Sequence, residues 1–401
     1  MELQSALLTL ALASGQATLV GWAQLDSQTL MPGPESGRLI EPPLGIEIPF
    51  AGQPVQGLSA IIPDGEGGYL ALTDNGYGGR DDSADFLLRI YDLQVDFRTA
   101  DGGSGEILVD GFLNLADPYH HLPWPLVADR ETYGQPPRAW PVDAAVRTDR
   151  LLTGADLDPE SLQRTADGGL WIGEEFGPYV VEFDPDGAVA GAPLRLPGLA
   201  SEANPEPGCC DDAPTRQAAS KGFEGMAMSP SGERLYPMLE GPMPGQEGTL
   251  NIYTVDTRSV RFLDASASEP SYRYRLDPPA TAVGDFVLAT DNVGLVLERD
   301  SGEGAKARHK QVFRVDLRVS NDKGFLAKRL VADLLRLSDP DDLDGDGTTE
   351  FSYPYHTPEA LVVIDRNTIG VVNDNNFPFG AARGNGPDAT EFILLRVEDL
   401  W

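Results

Sequence analysis

The sequence predicts an all-β fold, and within that class a single β-propeller. The chain has 401 residues with 44 glycines and 33 prolines, and its apolar runs are short, as expected for strands joined by tight turns. No long stretch repeats apolar residues at helical spacing, and the best helical candidate is short, around residues 328–337. Hairpins built on one plan recur along the chain, which is typical of propellers.

Five segments share this hairpin plan. Each has a strand, a turn rich in Gly, Asp or Asn, and a second strand, at residues 57–76, 158–177, 222–241, 284–300 and 358–375. Each opens with a polar residue at an equivalent place: Ser59, Glu160, Glu224, Asp285 and Glu359. Each closes with acids or amides: Asp74-Asn75, Glu174-Glu175, Glu240, Glu298 and Asn373-Asp374-Asn375. The register is nearly constant, so we interpret each hairpin as the inner part of one blade.

The spacing of the hairpins predicts the blade count. The long gap between the first two hairpins has room for an additional blade around residues 105–115, so we expect six blades, with five or seven as alternatives. Residues 18–25 and 390–397 both have the pattern of strands. If they share one blade, they close the ring and remove exposed strand edges.

The net charge of the chain limits the kinds of partner that it can bind. The chain carries 63 acidic and 30 basic residues, a net charge of −33. Such a surface repels nucleic acid and anionic membrane faces, and we expect a monomer that acts on a small molecule. The acidity serves either solubility or local cation binding.

The N-terminus and the cysteines bear on the compartment. Residues 6–13 are apolar and are followed by small residues, as in a signal peptide cleaved near Ala13 or Ala17, although the usual basic residues are missing. We therefore expect residues 1–17 to be a signal peptide or its remnant, residues 18–401 to be the propeller, and the protein to be periplasmic or secreted. No segment is long enough to span a membrane.

The two cysteines, Cys209 and Cys210, are adjacent and form either a vicinal disulfide or two free thiols.

The hairpin acids predict a metal centre. In a propeller the innermost strands line a central channel, so acids in one register converge at one face. Crowded carboxylates repel one another unless a cation lies among them, and oxygen ligands suit Ca²⁺. The alternative is that these Asp and Asn residues only form turns at strand ends. The predicted metal ligands are Asp74, Asn75, Asp158, Glu160, Glu174, Glu175, Glu224, Glu240, Glu298, Glu359, Asp374 and Asn375.

Four stretches at these positions resemble one known family. They are ADLDPESLQRTADGGLWIGEEFGP, KGFEGMAMSPSGERLYPMLEG, VLERDSGEGAKARHKQVFRVDL and VVNDNNFPFG followed by TEFILLRV. They are similar to the phytase-like family named for an "esterase-like activity of phytase". The resemblance implies an exported β-propeller that hydrolyses phosphate or carboxylic esters, and it implies a role for the acids above.

An acidic loop at residues 339–350 is a separate candidate. Asp342, Asp344 and Asp346 alternate ahead of Gly347, as in the start of an EF-hand loop. Tyr353 occupies the twelfth position, where a Glu is expected, so Glu350 would have to replace it. The loop is either a second calcium site or a plain acidic turn.

Three functions remain open from the sequence. The first is a Ca²⁺-dependent hydrolase of phosphate esters, in which Glu224 or Glu160 activates water and Lys221, Lys310 and Arg299 offset the charge of an anionic substrate. The second is a metal-dependent hydrolase of lactones or carboxylic esters, which a substrate panel would distinguish. The third is a non-catalytic binding propeller with structural calcium, which would have no open coordination position.

Overall fold

The structure, a computed structural model, describes residues 17–43, 45–208, 215–384, 386–398 and 400–401. The signal-peptide prediction for residues 1–16 and the cysteine pair lie outside the described residues. Among the described residues the fold is almost entirely β, with one short α-helix, α1 (Ala144–Asp149), and two 3₁₀ turns, Val127–Asp129 and Gly304–Lys306. The all-β prediction is confirmed, but the helical candidate is wrong, because its first part forms a strand, Leu326–Asp333.

The strands follow one another in short runs. The first three are β1 (Thr18–Leu25), β2 (Leu30–Met31) and β3 (Gln53–Pro54). Next come β4 (Leu58–Pro63), β5 (Tyr69–Thr73), β6 (Arg89–Asp96), β7 (Glu106–Asn114), β8 (Pro159–Arg164), β9 (Leu170–Glu174), β10 (Tyr179–Phe183), β11 (Leu194–Arg195), β12 (Leu199–Ser201) and β13 (Thr215–Gln217). The middle of the chain holds β14 (Phe223–Met228), β15 (Arg234–Leu239), β16 (Thr249–Ile252), β17 (Val255–Asp256), β18 (Arg261–Phe262) and β19 (Tyr272–Arg275). The last are β20 (Ala282–Leu288), β21 (Val293–Arg299), β22 (Lys310–Ser320), β23 (Leu326–Asp333), β24 (Leu337–Ser338), β25 (Glu350–Phe351), β26 (Thr357–Asp365), β27 (Thr368–Asp374) and β28 (Thr390–Arg396).

Within the described residues most of these strands form five antiparallel units, and the first and fifth units are joined into one larger sheet where Gln24 of β1 pairs in parallel with Glu106 of β7. In order they are β4–β7, β8–β11, β14–β19, β20–β23, and β26–β28 with β1. Each unit begins with one of the five predicted hairpins, and all five hairpins are paired as predicted.

The units are arranged around an axis. Their first strands contact one another in a closed cycle, β4 with β8, β8 with β14, β14 with β20, β20 with β26, and β26 with β4 again. This is the arrangement of a β-propeller. Six blades are not confirmed, and the expected blade around residues 105–115 is wrong. Those residues form β7, which pairs with β6 along its whole length and so completes the first unit.

Neighbouring units pack face to face through apolar side chains. Among the described residues each space between two neighbouring units holds one buried cluster. Representative pairs are Leu72 with Ile172, Trp171 with Phe223, Met238 with Phe286, Leu297 with Leu361, and Phe392 with Tyr91. Burying one such side chain contributes about 1.5–3 kcal/mol, so these interfaces fix the positions of the five inner strands.

The ring closes through the two ends of the described chain, as the sequence predicts. β1 pairs antiparallel with β28, from Thr18 opposite Arg396 to Leu25 opposite Thr390. The fifth unit is therefore built from strands at both ends of the sequence. Among the described residues no helix is long and apolar enough to span a bilayer.

Candidate functional site at the propeller axis

Each of the five inner strands contains a β-bulge at the same place. The residue left without a partner is Ser59, Glu160, Glu224, Gly284 or Glu359, in unit order. A bulge bends the strand and redirects one side chain. The repeated bulge therefore explains why the opening residues share a register and why three of them are glutamates at the axis.

The fourth hairpin departs from the predicted register by one residue. Its bulge is at Gly284, whereas the sequence analysis assigned Asp285 to this position. A Cβ on Gly284 would lie 2.2 Å from the carbonyl oxygen of Pro358, so this close approach of the fourth and fifth units requires glycine. The Asp285 carboxylate instead accepts backbone hydrogen bonds from Phe286 (2.6 Å) and Leu361 (2.8 Å) and does not reach the axis.

The second strands supply another ring of side chains. One residue at the end of each second strand, or directly after it, is equivalent in all five units: Asp74, Glu175, Glu240, Arg299 and Asp374. Four units thus contribute a carboxylate here and the fourth contributes a cation. Because side chains alternate along a strand, the residue directly before each of these five points away from the axis.

This alternation moves two predicted ligands away from the axis. Glu174 is buried, and its carboxylate accepts backbone hydrogen bonds of 2.7–2.9 Å from Phe176, Gly177 and Tyr179 in the following turn. It therefore acts as a cap for that turn, and the structure does not bring it to the axial cavity.

Glu298 is the second displaced ligand. Its buried carboxylate accepts a hydrogen bond of 2.7 Å from the Tyr274 hydroxyl, lies 2.9 Å from His309 Nε2 and pairs with the Lys328 ammonium. Its partners belong to the outer part of the fourth unit and the neighbouring third, so the network is structural.

The remaining predicted acids line one cavity of about 490 Å³ at the axis. The lining contains eight carboxylates and two cationic side chains, all within the described residues. The carboxylates belong to Asp74, Asp158, Glu160, Glu175, Glu224, Glu240, Glu359 and Asp374, and the cations to Lys221 and Arg299. Asn75 also lines the cavity, but Asn375 does not, and Asn376 takes that place.

Three of these carboxylates form the tightest group. One oxygen from each of Asp158, Glu160 and Glu175 lies within 4.8 Å of the other two. Glu175 Oε1 and Glu224 Oε1 are buried and have no hydrogen-bond partner among the described residues. Buried oxygens without donors are costly, and a hard divalent cation would satisfy them.

Burial and crowding perturb the acids strongly. Burial is the largest cause, and it raises the pKa of Asp158 and of Asp374 to about 6. Burial and then the charge of Asp374 raise the pKa of Glu359 to about 8. Burial and then neighbouring carboxylates raise the pKa values of Glu160 and Glu224 well above their usual range. Without a cation the cavity therefore retains protons.

The two cations lie on one side of the cavity. Arg299 Nη2 lies 2.5 Å from Glu240 Oε1, 3.4 Å from Glu359 Oε1 and 3.7 Å from Glu224 Oε1. Lys221 also pairs with Glu240. The positive charge is therefore concentrated beside Glu240.

Lys310 does not line the cavity. Its buried ammonium donates hydrogen bonds to the carbonyl oxygens of Asp300 (2.6 Å) and His356 (2.8 Å), and burial lowers its pKa to about 8. It holds the backbone of His356, whose side chain does line the cavity. Burial, together with the nearby Arg299 and Lys310, lowers the pKa of His356 to about 4, so its imidazole is neutral.

Among the described residues that line the cavity, His356 is the ionisable one that the sequence analysis missed. It directly precedes β26, the inner strand of the fifth unit. No repeated residue type marks that position in the other hairpins, so the pattern held no signal for it.

The acidic loop between β24 and β25 lies outside this cavity. There the structure groups Asp342 and Asp344 with Asp339, with one carboxylate oxygen of each within 4.8 Å of the others. Asp346 and Glu350, which the sequence analysis included, are not in this group.

Comparison with known proteins gives one family and several distant likenesses. Residues 53–377 match the family model described as "Phytase-like: Esterase-like activity of phytase". An uncharacterized secreted protein of Arthroderma benhamiae is 27% identical over 199 residues, which are 39% of this chain. The match spans only 37% of that relative's length.

Two solved structures show low similarity. The aldose sugar dehydrogenase of Streptomyces coelicolor in its PQQ-bound form has a TM-score of 0.39 and 12% identity, over 86% of this chain and 95% of the other. A luciferin-regenerating enzyme has a TM-score of 0.35 and 9% identity, over 84% of this chain and 77% of the other. Similarity at these values says nothing about what this chain binds or catalyses.

Proposed function

Because this chain belongs to the phytase-like family, we propose that it is an exported, Ca²⁺-dependent hydrolase of phosphate esters that works in the axial cavity. The observation that carries the proposal is the set of eight carboxylates and only two cationic side chains around one cavity of about 490 Å³. The apolar N-terminal segment and the secreted relative support export.

The proposal includes the architecture that holds the site. We take each of the five described units to be one blade, which gives a five-bladed propeller closed by β1 and β28. The fourth blade then has a distinct part in the site. It carries Gly284 and Arg299 where the others carry carboxylates or Ser59, and it therefore leaves the positive side of the cavity open to an anion.

The residues fit a hard divalent cation. Asp158, Glu160 and Glu175 would hold it, since their oxygens are already close together and one oxygen of Glu175 lacks a hydrogen-bond donor. A bound Ca²⁺ would neutralise and polarise the phosphoryl oxygens of the substrate. The same charge would release the protons that the crowded acids otherwise keep.

The chain's own residues supply the other parts of the reaction. Glu224, whose Oε1 has no hydrogen-bond partner among the described residues, would accept a proton from the attacking water. The water oxygen forms a bond to phosphorus, the ester P–O bond breaks, and the proton held by Glu224 passes to the leaving oxygen. Arg299 and Lys221, which both pair with Glu240, would offset the charge of the phosphoryl group.

Lys310 has a positioning role in this proposal. Its ammonium donates a hydrogen bond to the carbonyl oxygen of His356, a residue that lines the cavity, and the neutral imidazole of His356 would contact the alcohol part of the substrate. This replaces the direct substrate contact that the sequence analysis expected of Lys310.

The test is hydrolysis of a chromogenic phosphomonoester by the purified full chain. We expect activity that is lost on chelation and returns with Ca²⁺, and a loss of at least about 100-fold in kcat for Glu224→Gln. Asp285→Asn is a matched control, because Asp285 is a buried acid next to a bulge but faces away from the cavity. It should retain both activity and Ca²⁺ dependence.

Two results would overturn the proposal. Turnover of a lactone or carboxylic ester without phosphatase activity would assign the second hydrolase class, which the family's description as esterase-like also favours. Ca²⁺ binding with no turnover of any ester would assign a binding propeller.

A further inference from the structure

The acidic turn between β24 and β25 is independent of the axial cavity. It connects Ser338 at the end of β24 to Glu350 at the start of β25, and these two residues pair with each other. Asp339, Asp342 and Asp344 in this turn place one carboxylate oxygen each within 4.8 Å of one another. None of the three lines the axial cavity.

Asp339 has a feature that a plain acidic turn does not explain. Its relative exposure is 0%, and its Oδ2 accepts a hydrogen bond of 2.8 Å from the Leu343 N–H. Its Oδ1 is also buried but has no hydrogen-bond partner among the described residues. Both oxygens are bonded to one carbon, so the free oxygen lies next to the cluster. A buried carboxylate oxygen without a donor is costly unless a cation satisfies it.

The side chains around the turn do not supply enough positive charge to neutralise the three carboxylates. Arg98 approaches the turn, but its Nη1 donates to the carbonyl oxygen of Leu343 at 3.2 Å. Arg383 acts on Asp344 at longer range, but its guanidinium is paired with Glu391. Each of the three carboxylates accepts one backbone hydrogen bond, Asp339 from Leu343, Asp342 from Gly347 and Asp344 from Asp346, but these neutral donors do not cancel the charge of the group.

We propose that Asp339, Asp342 and Asp344 bind one Ca²⁺ that is structural and separate from the axial ion. The ligand types are hard oxygens, and the alternating Asp342 and Asp344 followed by glycines provide the tight turn that such loops need. Asp339 thus serves as the loop's further calcium ligand, a role that the sequence analysis assigned to Glu350. The remaining coordination positions would be filled by backbone carbonyls and water.

The position of the turn indicates what this ion would do. Ser338, directly before Asp339, pairs with Thr18 at the start of β1, and its N–H donates to the carbonyl oxygen of Ala17 at 3.1 Å. An ion at Asp339 would therefore brace the hairpin against which the N-terminal strand enters the closing sheet.

The experiment counts bound ions. Equilibrium dialysis of the full chain with radioactive Ca²⁺ gives the number bound per chain for the wild type and for Asp339→Asn, Asp344→Asn and Asp346→Asn. We expect the first two variants to bind one ion fewer than the wild type. Asp346→Asn, a matched control in the same loop but outside the group, should bind the wild-type number.

Further variants keep the outcome decisive. If Asp339→Asn does not fold, the more exposed Asp344→Asn decides the question alone. A double variant of the axial site, Glu160→Gln with Glu175→Gln, should keep the loop ion, so failure of the axial proposal does not affect this one. Equal Ca²⁺ numbers in the wild type, Asp339→Asn and Asp344→Asn would overturn the loop site.

Discussion

The free energy of unfolding of the Ca²⁺-free protein should fall as pH rises from 6 to 8. Glu359 titrates near 4.5 in the unfolded chain, whereas in the folded protein burial and then Asp374 raise its pKa to about 8. Between these values the folded state holds a proton that the unfolded state has lost. Stability gained from that proton is therefore present at low pH and is lost as pH approaches the folded pKa.

The magnitude follows from the width of the pH window. One pH unit corresponds to about 1.4 kcal/mol per bound proton, and Glu359 is already half ionised at pH 8, so the two units cost about 2 kcal/mol for Glu359 alone. Asp158 and Asp374, with pKa values of about 6, are half ionised at the lower edge of this window, so each adds a smaller loss than Glu359. The other crowded acids change stability in the same direction, because their pKa values are raised too.

The assay is urea unfolding, followed by tryptophan fluorescence, at pH 6, 7 and 8 with a chelator or with saturating Ca²⁺. We expect the downward slope with chelator only, since a bound cation replaces the protons. Glu359→Gln should remove about 2 kcal/mol of the pH dependence in chelator. Asp316→Asn is the control, because the pKa of Asp316 is about 2 and it does not titrate in this window. A Ca²⁺-free stability that is constant or rises from pH 6 to 8 would refute the reasoning.

Two further variants test the placement of individual side chains. Glu298→Gln should lower the free energy of unfolding by about 1.5–3 kcal/mol, because the buried charged acceptor of Tyr274 and Lys328 is lost while Lys328 keeps Asp277 as a partner. Ca²⁺ stoichiometry should not change, and loss of an ion without loss of stability would contradict this placement. Gly57→Ala should weaken axial Ca²⁺ binding in calorimetry by about tenfold, because its Cβ would lie 1.9 Å from Asp74 Oδ1 and displace a carboxylate whose charge is coupled to that of the proposed ligand Asp158. Gly65→Ala introduces a side chain at a similarly positive φ with no atom within 4 Å, so equal weakening in both would show that backbone strain, and not Asp74, is responsible.

The repeated hairpins could be predicted because their signals are local. Turn residues and alternation of apolar side chains mark both strands of each hairpin, and a constant register follows from them. The convergence of acids such as Glu160 and Glu224 then follows from the geometry of a ring. The closing pair β1–β28 was predicted for a similar reason, since an exposed strand edge needs a partner.

The errors arose where tertiary packing decides. The predicted register of the fourth hairpin was wrong by one residue, because its bulge is at Gly284. Close backbone contact with Pro358 excludes a side chain at this position. The prediction of Glu298, rather than Arg299, as the axial residue is the same register error in the second strand of this hairpin. The long gap after the first hairpin does not hold an additional blade, because β6 and β7 complete the first unit. The remaining residues form α1 and loops whose apolar side chains, such as Trp124 and Val146, belong to the core cluster of the first two units.

The sheet shared by β1 and β28 has a consequence for the order of folding. The first four units are each made from consecutive strands, but β1 must wait for a partner at the far end of the chain. Contacts of such high sequence separation form slowly, because loop closure costs entropy before any contact is gained. Asp374 and Glu359 belong to this last unit, so the axial cluster is complete only when the ring is. Ca²⁺ binding at the axis would then mark the final step of folding, and a chain that stalls before it would present open strand edges to its neighbours.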